Sequence, residues 1–270
     1  MSAKGPEDYA AKPNPRNGRT RLISGNWKMN LNHLEAIAAV QKLFYLLRPA
    51  DYRYAEISLH PPFTDLRSLQ LLIETDRMPL VLGAQNTYPE SSGAFTGEVS
   101  PSMLSRLNVK YVIVGHSERR ELFGESDAFI ARKVRAVLDA SMLPILCVGE
   151  GEEERQAGRT GEVLSDQVER ALVSVKAEEL GKVVVAYEPK WAIGTGNSAT
   201  ATDAADAASV IRATLTERFR AEVANEVRVQ YGGSVNAGNA RAFLELPELD
   251  GLLVGGASLD PEAFARVIQA

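Results

Sequence analysis

Eight short apolar runs, each followed by a longer amphipathic stretch, limit what this chain can fold into. The runs are Leu22–Trp27, Ala55–Leu59, Leu80–Ala84, Tyr111–Val114, Leu143–Val148, Val183–Tyr187, Val227–Tyr231 and Gly251–Val254. They are rich in Val, Ile, Leu and Tyr and end at Gly, Asn, His, Pro or Glu, which is strand chemistry. Unbroken apolar runs are buried on both faces, so the sheet is expected to be parallel. Between them, Leu34, Ile37, Ala38, Gln41, Phe44 and Tyr45 repeat at helical spacing with one polar exception. Ile130, Val134, Val137 and Leu138 repeat cleanly, and Val163, Val168, Ala171, Leu172 and Val175 more loosely. Asp203 and Asp260-Pro261 have the chemistry of helix starts. Eight strand–helix units in about 250 residues predict an α/β protein with a single closed parallel (β/α)8 barrel. A doubly wound open sheet gives the same alternation and is the alternative.

Composition agrees with a single domain. The 270 residues are 45% hydrophobic and 24% charged, with a formal net charge of −5. That balance argues against a nucleic-acid partner, which favours a basic surface. No apolar run reaches membrane-spanning length, so no membrane partner is expected. The single cysteine, Cys147, cannot form an internal disulfide, which fits a reducing compartment and a cytoplasmic location. Residues 1–20 mix Pro, Asn, Gly and both charges without an apolar stretch, and are expected to be a flexible tail. Residues 21–270 contain no linker and form the expected catalytic domain. The charged stretch Glu152–Glu154 with Arg155 reads as a solvated helix start.

In such a barrel, chemistry sits at the C-terminal strand ends, and the polar residues fall there. The first run ends in Gly25-Asn26-Trp27-Lys28, the third in Gln85-Asn86 and the fourth in Gly115-His116-Ser117-Glu118. The fifth ends in Cys147-Val148-Gly149-Glu150, the sixth in Glu188, the seventh in Gly232-Gly233-Ser234 and the eighth in Gly255-Gly256. Glu188 closes a buried run and is a candidate base. The Pro- and Gly-bounded stretch after it, through Gly194 and Gly196, has the stiff ends and pliable tip of a lid. The two glycine turns after the last strands could bring backbone N–H groups close to a phosphate. Lys28 supplies a compact positive charge suited to phosphate and to developing oxyanions. His116 precedes a helix start, whose dipole is expected to lower its pKa and keep the ring neutral, able to donate to a substrate oxygen. His33 and His60 lack such company and are expected to be structural. Three scattered histidines and one cysteine offer no metal-ligand spacing, so no metal is expected.

One carboxylate base, one neutral imidazole, one ammonium and a phosphate cradle suit proton abstraction beside a carbonyl on a small sugar phosphate. Glu188 would take the proton, while His116, Lys28 and Asn26 would stabilise the enediolate oxygens. Closure over the site would keep the intermediate from eliminating phosphate into water.

These residues resemble the triosephosphate isomerase family. The likeness runs through Gly25–Asn30, Gly93–Glu98, Val114–Arg120, Tyr187–Gly196, Tyr231–Val235 and Val254–Leu259, in order over nearly all of the chain after residue 20. The resemblance implies a TIM barrel acting as a glycolytic isomerase, without cofactor or metal, as a homodimer. It implies Glu188 as base, His116 as electrophile, and Asn26 and Lys28 as substrate and electrostatic contacts. Glu118 would bond Lys28 or relay protons, and Ser117 would orient groups near His116. Gly194, Ser234, Gly255 and Gly256 would hold phosphate through their N–H groups. Cys147 would support the base from a buried position. Gln85 and Thr96 would lie at the dimer contact, with Thr96 reaching Asn26 and Lys28 of the other copy.

The chain departs from the family pattern in three places. Lys190 stands in the lid's first hinge, where an apolar residue is common. Asn197-Ser198-Ala199 replaces a second hinge that commonly starts with Lys, and the segment before the first strand is long. These departures leave open a related isomerase of a four-carbon ketose phosphate, of the L-erythrulose 1-phosphate type. Two readings of another kind remain: a Schiff-base aldolase using Lys190 or Lys28, and a phosphate-binding barrel without catalysis.

Overall fold

The computed structural model describes residues 9–192 and 199–270. Gly194, Gly196, Asn197 and Ser198, and with them most of the expected lid, lie outside the described residues. Eight parallel strands close into a barrel in sequence order: β1 (Leu22–Asn26), β2 (Glu56–His60), β3 (Val81–Ala84), β4 (Tyr111–Val114), β5 (Leu143–Val148), β6 (Val184–Tyr187), β7 (Arg228–Tyr231) and β8 (Gly251–Val254). The ring closes where β1 pairs with β8, Leu22 opposite Gly251 and Gly25 opposite Val254. That closure removes the open-sheet alternative. Around it run α1 (His33–Leu46), α2 (Pro49–Tyr54), α3 (Leu66–Thr75), α4 (Pro101–Ser105), α5 (Ser117–Leu122), α6 (Asp127–Asp139), α7 (Glu152–Gln156), α8 (Thr160–Ala171), α9 (Ala201–Arg218), α10 (Ala221–Ala224), α11 (Ala240–Leu244) and α12 (Pro261–Ile268). No helix among the described residues is long and apolar enough to cross a membrane.

Strand alternation divides the apolar residues into two cores. Leu22, Tyr111, Ile113, Ile145, Cys147, Val184, Ala186 and Leu253 pack inside the barrel. Their neighbours Ile23, Val112, Val114, Leu146, Val148, Val185 and Leu252 pack between sheet and helices. The interior also carries a polar layer. Ser58 Oγ donates to Ser24 Oγ at 2.8 Å, and Gln230 Nε2 donates to Ser24 Oγ at 2.9 Å. The same alternation sets the site: counting by twos from Leu22 and Ser24 reaches Asn26, and from Val184 and Ala186 reaches Glu188. Both therefore aim into the barrel mouth.

Helix α1 buries Ala36, Val40 and Leu43, whereas Leu34 is 67% and Tyr45 89% exposed. The face expected from Leu34, Ile37, Phe44 and Tyr45 is therefore not the buried one. Apolar residues surround this helix, so periodicity alone could not choose between its sides. Asp203 is not the helix start itself: Thr200 caps α9, and the Asp203 carboxylate accepts the Thr200 N–H in return.

Residues 9–20 pack against the barrel's N-terminal end. Pro13 bridges Thr20, and Lys12 N–H donates to Arg53 O at 2.9 Å. Asp250, just before β8, accepts from Arg19 Nε at 2.7 Å, Asn17 Nδ2 at 2.9 Å and Arg212 at 2.6 Å. Over this described part the segment is tied to the barrel by the Arg19–Asp250 ion pair and by hydrogen bonds.

Candidate active site

A cavity of about 430 Å³ opens at the C-terminal strand ends, lined by Asn26, Lys28, His116, Ser117, Glu118, Glu188, Ser234, Gly255 and Gly256 among others. Two larger hollows, of about 1200 and 830 Å³, lie along α6 and at the opposite barrel end. Size favours those hollows, but the strand-end cavity sets a buried carboxylate, Glu188, directly against a buried imidazole, His116.

Glu188 is 2% exposed. Its Oε1 lies 3.0 Å from His116 Nε2, and its Oε2 accepts the Ser117 N–H at 3.0 Å. Burial pushes its pKa up, but the imidazole, the Ser117 N–H and the nearby Lys28 charge outweigh burial, so the net shift is downward. His116 caps α5 in an unusual sense: its Nδ1 accepts the Glu118 N–H at 3.3 Å. That contact puts the ring proton on Nε2, facing Glu188. Burial pushes the His116 pKa down, while the Glu188 carboxylate and, more weakly, Glu118 push it up; the net direction is up. The sequence-based expectation of a lowered value is thus reversed with the ring on Glu188. It weighed the helix start and missed the base as a direct partner.

Lys28 has a left-handed backbone, φ 53°, a conformation costly for a side chain with a Cβ. Two amides hold it there. Asn26 Oδ1 accepts the Lys28 N–H at 3.2 Å, and Gln85 Nε2 donates to Lys28 O at 2.6 Å and His60 O at 2.9 Å. Lys28 Nζ lies 2.6 Å from Glu118 Oε1. Within this chain Gln85 therefore steadies Lys28, whereas Thr96 is exposed on the loop after β3 and joins no part of the cavity.

The glycines after β7 owe their identity to close approach and not to left-handed φ. A Cβ on Gly232 would stand 3.0 Å from Glu188 Cγ, and one on Gly233 would overlap the Tyr231 hydroxyl. A Cβ on Gly255 would stand 3.6 Å from Lys28 Cε, so the lysine stem runs beside the final turn. Cys147 is fully buried inside the barrel, and burial with the Glu188 charge beside it raises its thiol pKa. A thiol held protonated in this way is a poor nucleophile. His60 is also buried, with its ring nitrogens 3.0 Å from Ser58 Oγ and 3.1 Å from Ala84 O.

Sequence reasoning noted Glu150 at a strand end but gave it no role. The structure buries it and brings Tyr187 Oη to Glu150 Oε1 at 3.0 Å and Trp191 Nε1 to the same oxygen at 2.8 Å. Arg155 stacks over the Trp191 ring at 3.7 Å and pairs with Asp203 at 3.0 Å. Arg120 was likewise missed; it donates to Gly115 O at 2.8 Å and to Cys147 O at 3.3 Å, joining the ends of β4 and β5. The visible signals were a carboxylate directly after a strand-end glycine and an arginine one turn into the helix after His116.

A closed (β/α)8 barrel with a carboxylate, an imidazole and an ammonium converging at its strand ends defines an acid–base barrel enzyme architecture. The sequence pattern described as triosephosphate isomerase matches residues 21–270. The chain is 49% identical to the triosephosphate isomerase of Streptomyces avermitilis over 92% of this chain and 96% of the relative. It is 51% identical to that of Saccharopolyspora erythraea, over 92% and 95%, and 48% identical to that of Streptomyces coelicolor, over 93% and 97%. The chain belongs to the triosephosphate isomerase family.

Proposed function

We propose that this protein is an aldose–ketose isomerase that interconverts D-glyceraldehyde 3-phosphate and dihydroxyacetone phosphate. The observation that carries the reading is the buried Glu188 carboxylate within 3.0 Å of His116 Nε2 in one small cavity, in a chain of this family. Glu188 removes the proton from the carbon beside the carbonyl, and the electrons pass to the carbonyl oxygen to form an enediolate. The Nε2–H of His116 donates to that oxygen, Asn26 and Lys28 add positive character, and the proton returns to the neighbouring carbon. Glu118 restrains the Lys28 ammonium, and Ser117 N–H holds the base while the site is empty. Once Glu188 turns to substrate, its upward push on the His116 pKa is withdrawn. Burial and the Glu118 N–H then both favour the neutral ring. Ser234, Gly255 and Gly256 receive the phosphate beside Lys28, together with Gly194. Cys147 supports the base through its packing.

No cofactor or metal is needed for this proton transfer. The protein is read as a cytoplasmic glycolytic enzyme working as a homodimer. Exposed Met29, at 95%, and Phe95, at 39%, beside Lys28 and Thr96, support an association face next to the site. Gln85 and Thr96 belong to that face, with Thr96 reaching the other copy's site. The four-carbon substrate is not favoured by the names of the relatives.

Purified full-length protein should be assayed without added metal on glyceraldehyde 3-phosphate and L-erythrulose 1-phosphate side by side. Strong preference for the triose phosphate supports the reading. Preference for the tetrulose phosphate, or turnover of neither, overturns it.

A further inference from the structure

A second cation stands at the rim of the cavity. Lys190 Nζ lies 3.1 Å from Glu121 Oε1, and both residues line the space that holds Glu188 and His116. Glu121 is on α5, three residues after the Glu118 that takes Lys28. That spacing puts the two carboxylates on neighbouring helix positions. One short helix therefore grips side chains from the ends of both β1 and β6, and carries His116 at its cap.

Lys190 follows Glu188 by two residues, with Pro189 between them fixing one backbone torsion. Glu188 N–H donates to Val148 O at 2.7 Å and Lys190 N–H to Glu150 O at 3.1 Å, which fasten this backbone to the β5 side. Nothing in those two bonds restrains it toward α5. The Glu188 carboxylate does touch Ser117 N–H and His116 there, but it must release both to reach a substrate carbon. Among the described residues, the Lys190–Glu121 pair is the α5-side tie that can persist when the carboxylate leaves. With side chains 24% and 56% exposed, the pair is solvated and contributes little to global stability. It can still set where the base points, and a displacement near 1 Å at a reacting group costs on the order of 10²-fold.

We propose that Lys190 is a positioning residue whose ion pair with Glu121 holds the Glu188 backbone in register with His116 during proton transfer. The proposal rests on the reading of Glu188 as the base.

The test compares wild type, Lys190→Met, Glu121→Gln, the double variant, Lys190→Arg and the charge swap Lys190→Glu with Glu121→Lys. Each is assayed on glyceraldehyde 3-phosphate, unlabelled and deuterated at the carbon that loses its proton, with a thermal melt alongside. Lys190→Met and Glu121→Gln should each lower kcat about 3–10-fold and raise the isotope effect, with KM changed less than about twofold. The double variant should fall no further than either single, Lys190→Arg should keep most activity, and the swap should recover part of the loss. Melting temperatures should stay close to wild type. Unchanged kcat and isotope effect in Lys190→Met, or losses that multiply in the double variant, overturn the proposal. A wild type that does not turn over the triose phosphate instead overturns the functional reading and this proposal with it.

Discussion

Glu188 Oε1 and His116 Nε2 are 3.0 Å apart, so the proposed base and the proposed electrophile are each other's partner while the site is empty. The contact keeps the carboxylate ionised in a buried place and the imidazole oriented by its cap on α5. Substrate entry must replace this contact with two new ones, base to carbon and ring to oxygen.

Glu188→Asp retracts the carboxylate by one methylene. Turnover should fall on the order of 10²-fold, while the melting temperature stays near wild type. Full turnover in this variant would remove Glu188 from the proposed role.

His116→Gln keeps a hydrogen-bond donor but loses the ring geometry set by the Glu118 N–H. The chemical step should slow roughly 10²–10⁴-fold in single-turnover measurements. A near-normal rate would contradict the electrophile assignment.

His60 is fully buried and its pKa is pushed down to about 4 by burial, from 6.5. Its folded value lies below its unfolded one, so the unfolded state binds more protons between those two values. The neutral ring's contribution is complete above pH 6.5 and is lost as pH falls toward 4, on the order of 3 kcal/mol in all. NMR titration should show the His60 ring neutral at pH 5.5; a midpoint near 6.5 would refute its burial-driven shift.

Asp250 receives Arg19, Arg212, Asn17 and the Val229 N–H while its own side chain is fully buried. Asp250→Ala leaves two arginines without their carboxylate, and urea melts should register a loss of about 3–5 kcal/mol. Protease cleavage within residues 9–20 should also quicken. Wild-type stability and protection would show that the segment is held by something else.

The barrel was legible because its strands are buried on both faces, which leaves each one as an unbroken apolar run. Leu143–Val148 and Tyr111–Val114 are observed with the bounds their apolar character suggested. Strand starts at Ala55, Leu80, Val183 and Val227 move inward by one residue, where pairing rather than hydrophobicity decides. Helix α1 was misread because apolar side chains surround it. At the site, strand alternation makes the inward aim of Asn26 and Glu188 readable. The pairing of Glu188 with His116 was not, because it depends on two loops meeting across the barrel mouth. The Lys28 backbone strain and the Gln85 contacts are equally nonlocal. The anchoring of residues 9–20 turns on Asp250, more than 200 positions away, where no local pattern reports it.

The most direct test is isomerisation of glyceraldehyde 3-phosphate in deuterated water, with the product read by NMR. Proton abstraction by Glu188 predicts that the carbon of dihydroxyacetone phosphate that gains hydrogen carries the returned proton or the solvent deuterium exchanged for it on the carboxyl group. Glu188→Gln should lose both product formation and labelling. Product formed, or labelled, equally fast without the Glu188 carboxylate would contradict the account.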